Sequence, residues 1–130
     1  MSKPQTRQEW QSRADALQIR TQAFINGQYV NAASGKTFAC ISPIDGKTLA
    51  NIAECEAEDI DRAVSVSRKV FDTGIWSETS PVHRKKILIK FAQLVEKYAE
   101  ELALLETLDM GKPIGDSLKV DVAATIRCIN

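Results

Sequence analysis

The stretch ELALLETLDMGKP, residues 101–113, predicts the last turns of a helix followed by a stop. Upstream of it, apolar residues recur at spacings of three and four back to Leu88, which indicates an amphipathic helix. The pattern is long enough for two helices with a bend near 98–99. The closing Gly-Lys-Pro is typical of a helix end, because glycine adopts the left-handed cap and proline cannot continue the helix.

The same stretch holds a pair of acids, Glu106 and Asp109, three residues apart and therefore on one helix face. An acid in the last turn opposes the helix dipole, so Asp109 is locally unfavourable. The plainest interpretation is an ordinary helix end with a lysine close by. The alternative is that Asp109 has a compensating partner, such as a cation or a capping contact.

Further helices are predicted on both sides of this stretch. One begins at Glu56 with acids in its first turn, Glu58, Asp59 and Asp61, which we interpret as solvated, and ends at Gly74. Ser80-Pro81 begins the next helix, with serine as the N-cap and proline at the first position. The last helix is expected from about residues 116–117, and Trp76 is expected to fold back into the core.

Short strands are predicted nearer the beginning of the chain. Asn-Gly at residues 26–27 lies between two apolar runs, which is the strongest local signal for a β-hairpin. Residues 37–41 and 49–53 read as two more strands, and residues 42–47, Ser-Pro-Ile-Asp-Gly-Lys, form the turn between them. Residues 1–22 are polar and are interpreted as an arm or surface helix, separate from residues 23–130.

Composition excludes several classes of protein. The 130 residues carry 17 acidic and 17 basic side chains, so no basic excess favours a nucleic acid or an anionic membrane as partner. No apolar run approaches the roughly 20 residues of a membrane helix, and the polar start has no apolar region typical of a secretory signal. These features predict a soluble, cytoplasmic protein with no membrane partner.

The sequence shows no set of residues that would form a self-contained active site. Neither GxGxxG nor GxxxxGK[ST] occurs, so the sequence offers no phosphate-binding glycine loop. Cys40, Cys55 and Cys128 are odd in number and form no CxxC pair, which favours neither disulfides nor zinc. His83 falls in the first turn of a helix and is interpreted as a surface residue. We therefore assign no catalytic and no cofactor-binding residue.

Taken in order, the segments resemble the aldehyde dehydrogenase superfamily from about Phe24 to Asn130. The resemblance rests on Phe-Ile-Asn-Gly at 24–27, Ser-Pro-Ile-Asp-Gly-Lys at 42–47, Asp-Ile-Asp-Arg-Ala-Val at 59–64, and above all residues 101–113. Glu-Trp-Gln at 9–11 and residues 100–113 look most like the branch of gamma-glutamyl-gamma-aminobutyraldehyde dehydrogenases, which degrades putrescine. The resemblance covers the N-terminal portion of the family.

This resemblance implies an α/β parent fold, of which residues 23–130 would form an incomplete N-terminal part of the cofactor-binding domain. It also implies a homo-oligomeric oxidoreductase in which a cysteine thiolate attacks an aldehyde, hydride passes to NAD or NADP, and a glutamate activates water. The family places that cysteine in a Gly-Gln-x-Cys motif and that glutamate in Glu-Leu-Gly-Gly, and neither motif occurs here. We therefore expect this chain alone to be inactive and to bind no cofactor.

Two family sites map onto residues of this chain. A monovalent cation would be held by the backbone carbonyls of Cys40 and Ile41 and by the carboxylate of Asp109, since such oxygens suit a hard cation. The helix that lines the mouth of the family's aldehyde tunnel matches Asp121 and Ala124. Asp121 could face an amine-bearing substrate there, or it could be a plain surface residue.

Three hypotheses remain open from the sequence. The first is a fragment of an aldehyde dehydrogenase, inactive alone, and the chain's end at Asn130 inside a helical pattern favours it. The second is a stand-alone α+β module that docks on an intact dehydrogenase subunit. The third is a small unrelated enzyme. The first predicts exposed apolar surface where the rest of the enzyme would pack, and hence oligomerisation or marginal stability.

Overall fold

Short antiparallel strands followed by helices make up residues 6–130, the part of the chain that this computed structural model describes. The elements in chain order are α1 Arg7–Asp15, β1 Ala23–Ile25, β2 Gln28–Val30, β3 Thr37–Ile41, β4 Thr48–Ala53, α2 Ala57–Asp72, α3 Pro81–Lys97, α4 Ala99–Met110, α5 Ile114–Asp116, a π-helical segment Ser117–Val122, and α6 Ala123–Ile129. This order confirms the predicted architecture.

The first hairpin forms where Asn-Gly predicted it. Strands β1 and β2 pair antiparallel with Ala23 opposite Val30, and the two turn residues both have positive φ, 54° at Asn26 and 74° at Gly27. Positive φ at both central positions defines the tight turn that matches the twist of paired strands, and asparagine and glycine adopt it most readily. Local chemistry alone therefore fixes this turn.

The second hairpin, β3 with β4, pairs Thr37 with Ala53 and has a register shift between Cys40 and Ile41. Its turn is closed by the backbone N–H of Ser42, which donates to the carbonyl of Lys47 at 2.8 Å. The buried Ser42 hydroxyl also accepts a hydrogen bond from the backbone N–H of residue 44. The predicted Ser-Pro-Ile-Asp-Gly-Lys turn is confirmed.

Helix α2 begins as predicted but corrects the interpretation of its first turn. Asp59 is 2% exposed, and its carboxylate accepts hydrogen bonds from the backbone N–H of Glu56 at 3.2 Å and of Ala33 at 3.0 Å. The expectation that Asp59 is solvated was wrong, because a carboxylate that satisfies two backbone donors can be buried. Glu58 and Asp61 in the same turn are exposed.

Helices α3 and α4 meet at the predicted bend. The hydroxyl of Ser80 accepts a hydrogen bond from the backbone N–H of His83 at 3.3 Å, which caps α3. Tyr98 separates the two helices, and Gly111 ends α4 in the left-handed conformation with φ 72°. Trp76, expected in the core, is 42% exposed, so that expectation was wrong.

The core lies where α3, α4 and the C-terminal helices meet. Val95, Ala103 and Val122 are buried there, with five half-buried apolar residues around them: Ala99, Ile114, Leu118, Ile126 and Ile129. The C-terminal helix starts slightly earlier than predicted, at Ile114, because Asp116 and Ser117 already donate backbone hydrogen bonds to the carbonyl of Pro113. The core therefore occupies the C-terminal half of the chain.

The N-terminal arm forms the predicted surface helix over its described part; residues 1–5 of the arm lie outside the described residues. Thr6 and Glu9 cap α1 reciprocally, and the guanidinium of Arg13 pairs with the carboxylate of Glu100 at 2.6 Å. That ion pair connects α1 to α4, 87 residues away in the sequence. The proposed boundary between residues 1–22 and 23–130 stays a prediction.

Candidate functional site

The candidate site lies where the end of β3 meets the end of α4. The thiol of Cys40 donates a hydrogen bond to Oδ1 of Asp109 at 3.0 Å. On the same side, a Cβ placed on Gly111 would lie 3.1 Å from Cγ of Pro43, so the β3–β4 turn packs closely on the helix end. The fold thus brings together Cys40 and Asp109, 69 residues apart.

The surroundings of Cys40 favour the thiol over the thiolate. The hydrogen bond to Asp109 raises the pKa of Cys40, and desolvation and the negative charge of that carboxylate raise it further. A nucleophilic cysteine needs the opposite, a positive neighbour that lowers the pKa. Cys55 and Cys128 are exposed. That no cysteine of this chain is catalytic stays a prediction, and the raised pKa of Cys40 supports it.

The monovalent-cation set of Cys40, Ile41 and Asp109 stays a prediction. In its favour, the register shift falls between Cys40 and Ile41, beside the Asp109 carboxylate. Within residues 6–130, no group of three or more His, Cys, Asp or Glu side chains could hold a metal ion, so the predicted set depends on backbone carbonyls together with one carboxylate. The donor chemistry, one carboxylate with carbonyl oxygens, fits a hard cation.

A second cluster of charge joins the loop after α4 to the π-helical segment. The ammonium of Lys112 contacts Oδ2 of Asp121 and lies 4.0 Å from Oε1 of Glu106. Asp121 chiefly raises the pKa of Lys112, with Glu106 and Asp116 adding smaller effects. Asp121 therefore already has a cationic partner within the chain, and an amine-bearing substrate would have to compete with it.

The tunnel assignment of Asp121 and Ala124 stays a prediction, but the structure shows what positions these two residues. The buried hydroxyl of Ser117 lies 3.2 Å from that of Thr107, and this contact together with the Lys112–Asp121 pair attaches the π-helical segment to α4. Ala124 follows in the first turn of α6 and is half-buried. Sequence analysis missed Lys112 and Ser117, and opposite charges nine residues apart are the one signal that could have indicated Lys112.

The glycines do not fit a dinucleotide. A pyrophosphate binds where a glycine after a strand lets the backbone come close to it at the start of a helix. In the described part of the chain, the five glycines with positive φ lie in turns and at helix ends, and three of them, Gly27, Gly35 and Gly46, have no atom within 4 Å of a built Cβ. That this chain alone binds no cofactor stays a prediction.

Much apolar surface remains uncovered. The chain exposes 9832 Å², whereas a self-contained globular protein of its mass, 14.4 kDa, exposes roughly 6,800 Å². The excess of roughly 3,000 Å² includes large apolar side chains such as Ile60, Phe71 and Phe91. Exposed apolar surface of this kind is what the first hypothesis predicts. Among residues 6–130, no helix combines the length and the apolar character needed to cross a membrane.

Comparison with known proteins gives one consistent family. A model of the aldehyde dehydrogenase family matches residues 29–130. The NADP/NAD-dependent aldehyde dehydrogenase PuuC of Escherichia coli K12 is 50% identical over 120 residues, which cover 92% of this chain and 24% of that protein. Aminoacetaldehyde dehydrogenase of Pseudomonas aeruginosa is 39% identical over 124 residues, covering 95% of this chain and 25% of that protein.

Comparison with solved structures gives the same family. The indole-3-acetaldehyde dehydrogenase AldA of Pseudomonas syringae, in complex with NAD+ and IAA, superposes with a TM-score of 0.95 at 55% identity, covering 97% of this chain and 26% of that one. The gamma-glutamyl-gamma-aminobutyraldehyde dehydrogenase of Burkholderia cenocepacia gives a TM-score of 0.92 at 45% identity, covering 93% of this chain and 24% of that one. The chain thus spans about a quarter of the length of the relatives it matches.

Proposed function

Because this chain belongs to the aldehyde dehydrogenase family, we propose that it is the N-terminal part of an NAD(P)-dependent enzyme that oxidises an aldehyde to a carboxylic acid. The observation that carries the proposal is the agreement of backbone and sequence, a TM-score of 0.95 at 55% identity over 97% of the chain. The homo-oligomeric assembly and the use of NAD or NADP belong to the same proposal and rest on the family resemblance.

In this proposal the chain supplies part of the scaffold, and the remainder of the fold supplies the catalytic and cofactor-binding residues. The proposal places the nucleophilic cysteine, the glutamate base and the cofactor loop in the remainder of the fold, because the family motifs that carry them do not occur in this sequence. The hydrogen bond from Cys40 to Asp109 raises the pKa of that thiol, which supports the absence of a nucleophile here. The chain's own part is to place the π-helical segment and Ala124 at the aldehyde's route of entry. The Lys112–Asp121 pair and the Thr107–Ser117 contact hold that segment.

An amine-bearing aldehyde is the narrower substrate that we propose, in keeping with polyamine breakdown. Support comes from the relatives, since an aminoacetaldehyde dehydrogenase and a gamma-glutamyl-gamma-aminobutyraldehyde dehydrogenase both match nearly the whole chain. Asp121 gives this choice little support, because its carboxylate is taken up by Lys112. The proposal therefore rests on family likeness rather than on a free anion at Asp121.

A chimera tests the function directly. Residues 24–130 of this chain would replace the matching quarter of E. coli PuuC, and NADH formation would be followed with acetaldehyde, aminoacetaldehyde and benzaldehyde. We expect the chimera to be active and the 130-residue chain alone to be inactive. A folded chimera without activity would contradict the proposal. So would turnover by the chain alone that is lost when Cys40, Cys55 or Cys128 is replaced by serine.

A second candidate is a module that docks on an intact dehydrogenase subunit. The exposed surface is compatible with it, because a standard interface needs roughly 800 Å² on each partner and the chain exposes roughly 3,000 Å² more than a self-contained protein of its mass. The two candidates differ in the partner that they require. A docking module requires an intact dehydrogenase subunit as its partner. The N-terminal part of an enzyme requires the remaining three-quarters of the fold.

A further inference from the structure

The turn of the first hairpin leaves the side-chain amide of Asn26 open to reaction. Within residues 6–130, no hydrogen bond involves that amide, and Asn26 and Gly27 are both exposed. A Cβ built on Gly27, where φ is 74°, meets no atom within 4 Å. No other part of the described chain therefore shields the peptide bond between these two residues.

The backbone nitrogen of Gly27 is a nucleophile placed next to the Asn26 side chain. When this nitrogen loses its proton and bonds to Cγ of Asn26, a five-membered succinimide ring closes. The bond from Cγ to Nδ2 then breaks, and ammonia leaves with the proton. Water opens the ring at either carbonyl carbon and gives aspartate or isoaspartate. Glycine permits this attack most readily, because it has no Cβ and its backbone is the least restricted.

The other asparagines inside the chain have different surroundings. Oδ1 of Asn31 accepts a hydrogen bond from Nε2 of Gln22 at 2.9 Å, and the next residue, Ala32, is buried. Asn51 lies within the paired strand β4 and precedes Ile52, whose branched side chain crowds the backbone nitrogen. Both asparagines have the same leaving group as Asn26, but each is held in place or followed by a bulkier residue.

We propose that Asn26 is a site of spontaneous modification, at which ammonia is lost and aspartate and isoaspartate accumulate. This inference goes beyond the proposed function and does not depend on it. The two products differ in their effect on the hairpin. Asp-Gly suits the same tight turn as Asn-Gly, whereas isoaspartate adds one carbon to the main chain of a two-residue turn. That turn sets the register that pairs Ala23 with Val30.

The first hairpin is short enough to be sensitive to such a change. Strands β1 and β2 have three residues each and form a two-stranded sheet. Two-stranded hairpins are marginally stable, so they depend on their turn and on side-chain contacts. Here those contacts are the rings of Phe24 and Tyr29, 5.1 Å apart, and the buried side chain of Ile25 beside the turn. Isoaspartate is therefore expected to loosen both strands and to uncover Ile25.

The test incubates the 130-residue chain at pH 8 and follows each asparagine by peptide mass spectrometry. Trypsin releases residues 21–36 as one peptide that contains both Asn26 and Asn31, and it releases Asn51 in residues 48–62. Fragment masses assign the change to one position, and electron-transfer fragmentation separates isoaspartate from aspartate. A sample digested before incubation corrects for reaction during digestion, and a parallel incubation in urea gives the rates without the fold.

We expect Asn26 to react at least about tenfold faster than Asn31 and Asn51 in the folded chain, and faster still as pH rises, because the attacking nitrogen must lose its proton. Equal rates at the three positions overturn the proposal. So does a folded rate at Asn26 that is more than about tenfold below its rate in urea, which would show that the turn protects this residue.

Hydrogen exchange of residues 23–30 in the incubated sample tests the effect on the hairpin. Asn26→Asp is the matched control, because it has the charge of the product without the extra main-chain carbon. We expect faster exchange in the chain that contains isoaspartate, and exchange in Asn26→Asp close to that of the unaltered chain. Exchange that is equal in all three would contradict the claim that isoaspartate disrupts the hairpin.

Discussion

The carboxylate of Asp59 accepts a hydrogen bond from the backbone N–H of Ala33 at 3.0 Å, across 26 residues of sequence. The other oxygen of the same carboxylate accepts from the backbone N–H of Glu56 at 3.2 Å. One buried side chain therefore caps the start of α2 and attaches it to the loop after the first hairpin. The position of α2 depends on this contact.

Replacement of Asp59 by alanine is expected to loosen α2. It removes the acceptor of the backbone N–H groups of Ala33 and Glu56 and with it the cap of α2, a loss that costs about 0.5–2 kcal/mol. Amide hydrogen exchange in the first turn of α2 should accelerate accordingly. Asp61→Ala serves as the control, because Asp61 is exposed in the same turn. Equal exchange in the two variants would show that the Asp59 contact does not hold the helix.

Replacement of Gly111 by alanine is expected to destabilise the end of α4. Gly111 has φ 72°, and a left-handed conformation costs a residue with a Cβ about 1–2 kcal/mol. The added Cβ would also lie 3.1 Å from Cγ of Pro43 in the β3–β4 turn. The urea concentration at the midpoint of unfolding, measured at a fixed protein concentration, should therefore fall.

Gly115→Ala is the matched control for that substitution. Gly115 has no positive φ, lies in α5, and has no atom within 4 Å of a built Cβ. Alanine there is expected to leave the midpoint unchanged or to raise it. It lowers the conformational entropy of the unfolded chain, which stabilises the folded state by about 0.4–1 kcal/mol. If both variants shifted the midpoint alike, the left-handed cap would not be the cause.

Features set by neighbouring residues were predictable from the sequence. The Asn-Gly turn at 26–27, the Ser80 N-cap and the Gly111 stop each depend on the backbone preferences of one or two residues, and all three were confirmed. The bend near 98–99 followed from the spacing of apolar residues and was also confirmed.

Features set by distant residues were not predictable. The burial of Asp59 depends on Ala33, and the pairing of Asp121 depends on Lys112 across a proline turn. The π-helical segment was missed because its six residues are too few for the spacing of apolar side chains to distinguish i→i+5 from i→i+4 hydrogen bonding. Trp76 was wrongly expected in the core, since an aromatic side chain in a loop does not reveal whether a partner will cover it.

The reactivity of Cys40 should depend on Asp109. Their hydrogen bond raises the pKa of the Cys40 thiol, so at pH 8 less reactive thiolate forms than at an unperturbed cysteine. The contact stabilises the folded chain at pH values below the thiol's ordinary pKa, and that contribution is lost as pH rises through the higher, folded pKa.

Alkylation by iodoacetamide at pH 8, followed by peptide mass spectrometry, measures this effect. Asp109→Asn should speed modification of Cys40 about threefold or more, since the thiolate is the reactive form. Cys55 and Cys128 are exposed and provide internal reference rates in the same sample. A Cys40 rate unaffected by Asp109→Asn would mean that the hydrogen bond does not control the thiol.

Sedimentation velocity of the purified 130-residue chain, over a wide range of concentration, tests the central claim most directly. That claim is that these hairpins and helices are shaped to pack against a larger body, which leaves large apolar side chains such as Ile60, Val64 and Phe71 of α2 uncovered in this chain. We predict association that increases with concentration and diminishes in Val64→Asp but not in Ser65→Asp. A monodisperse monomer at every concentration, with a cooperative thermal transition, would contradict the claim.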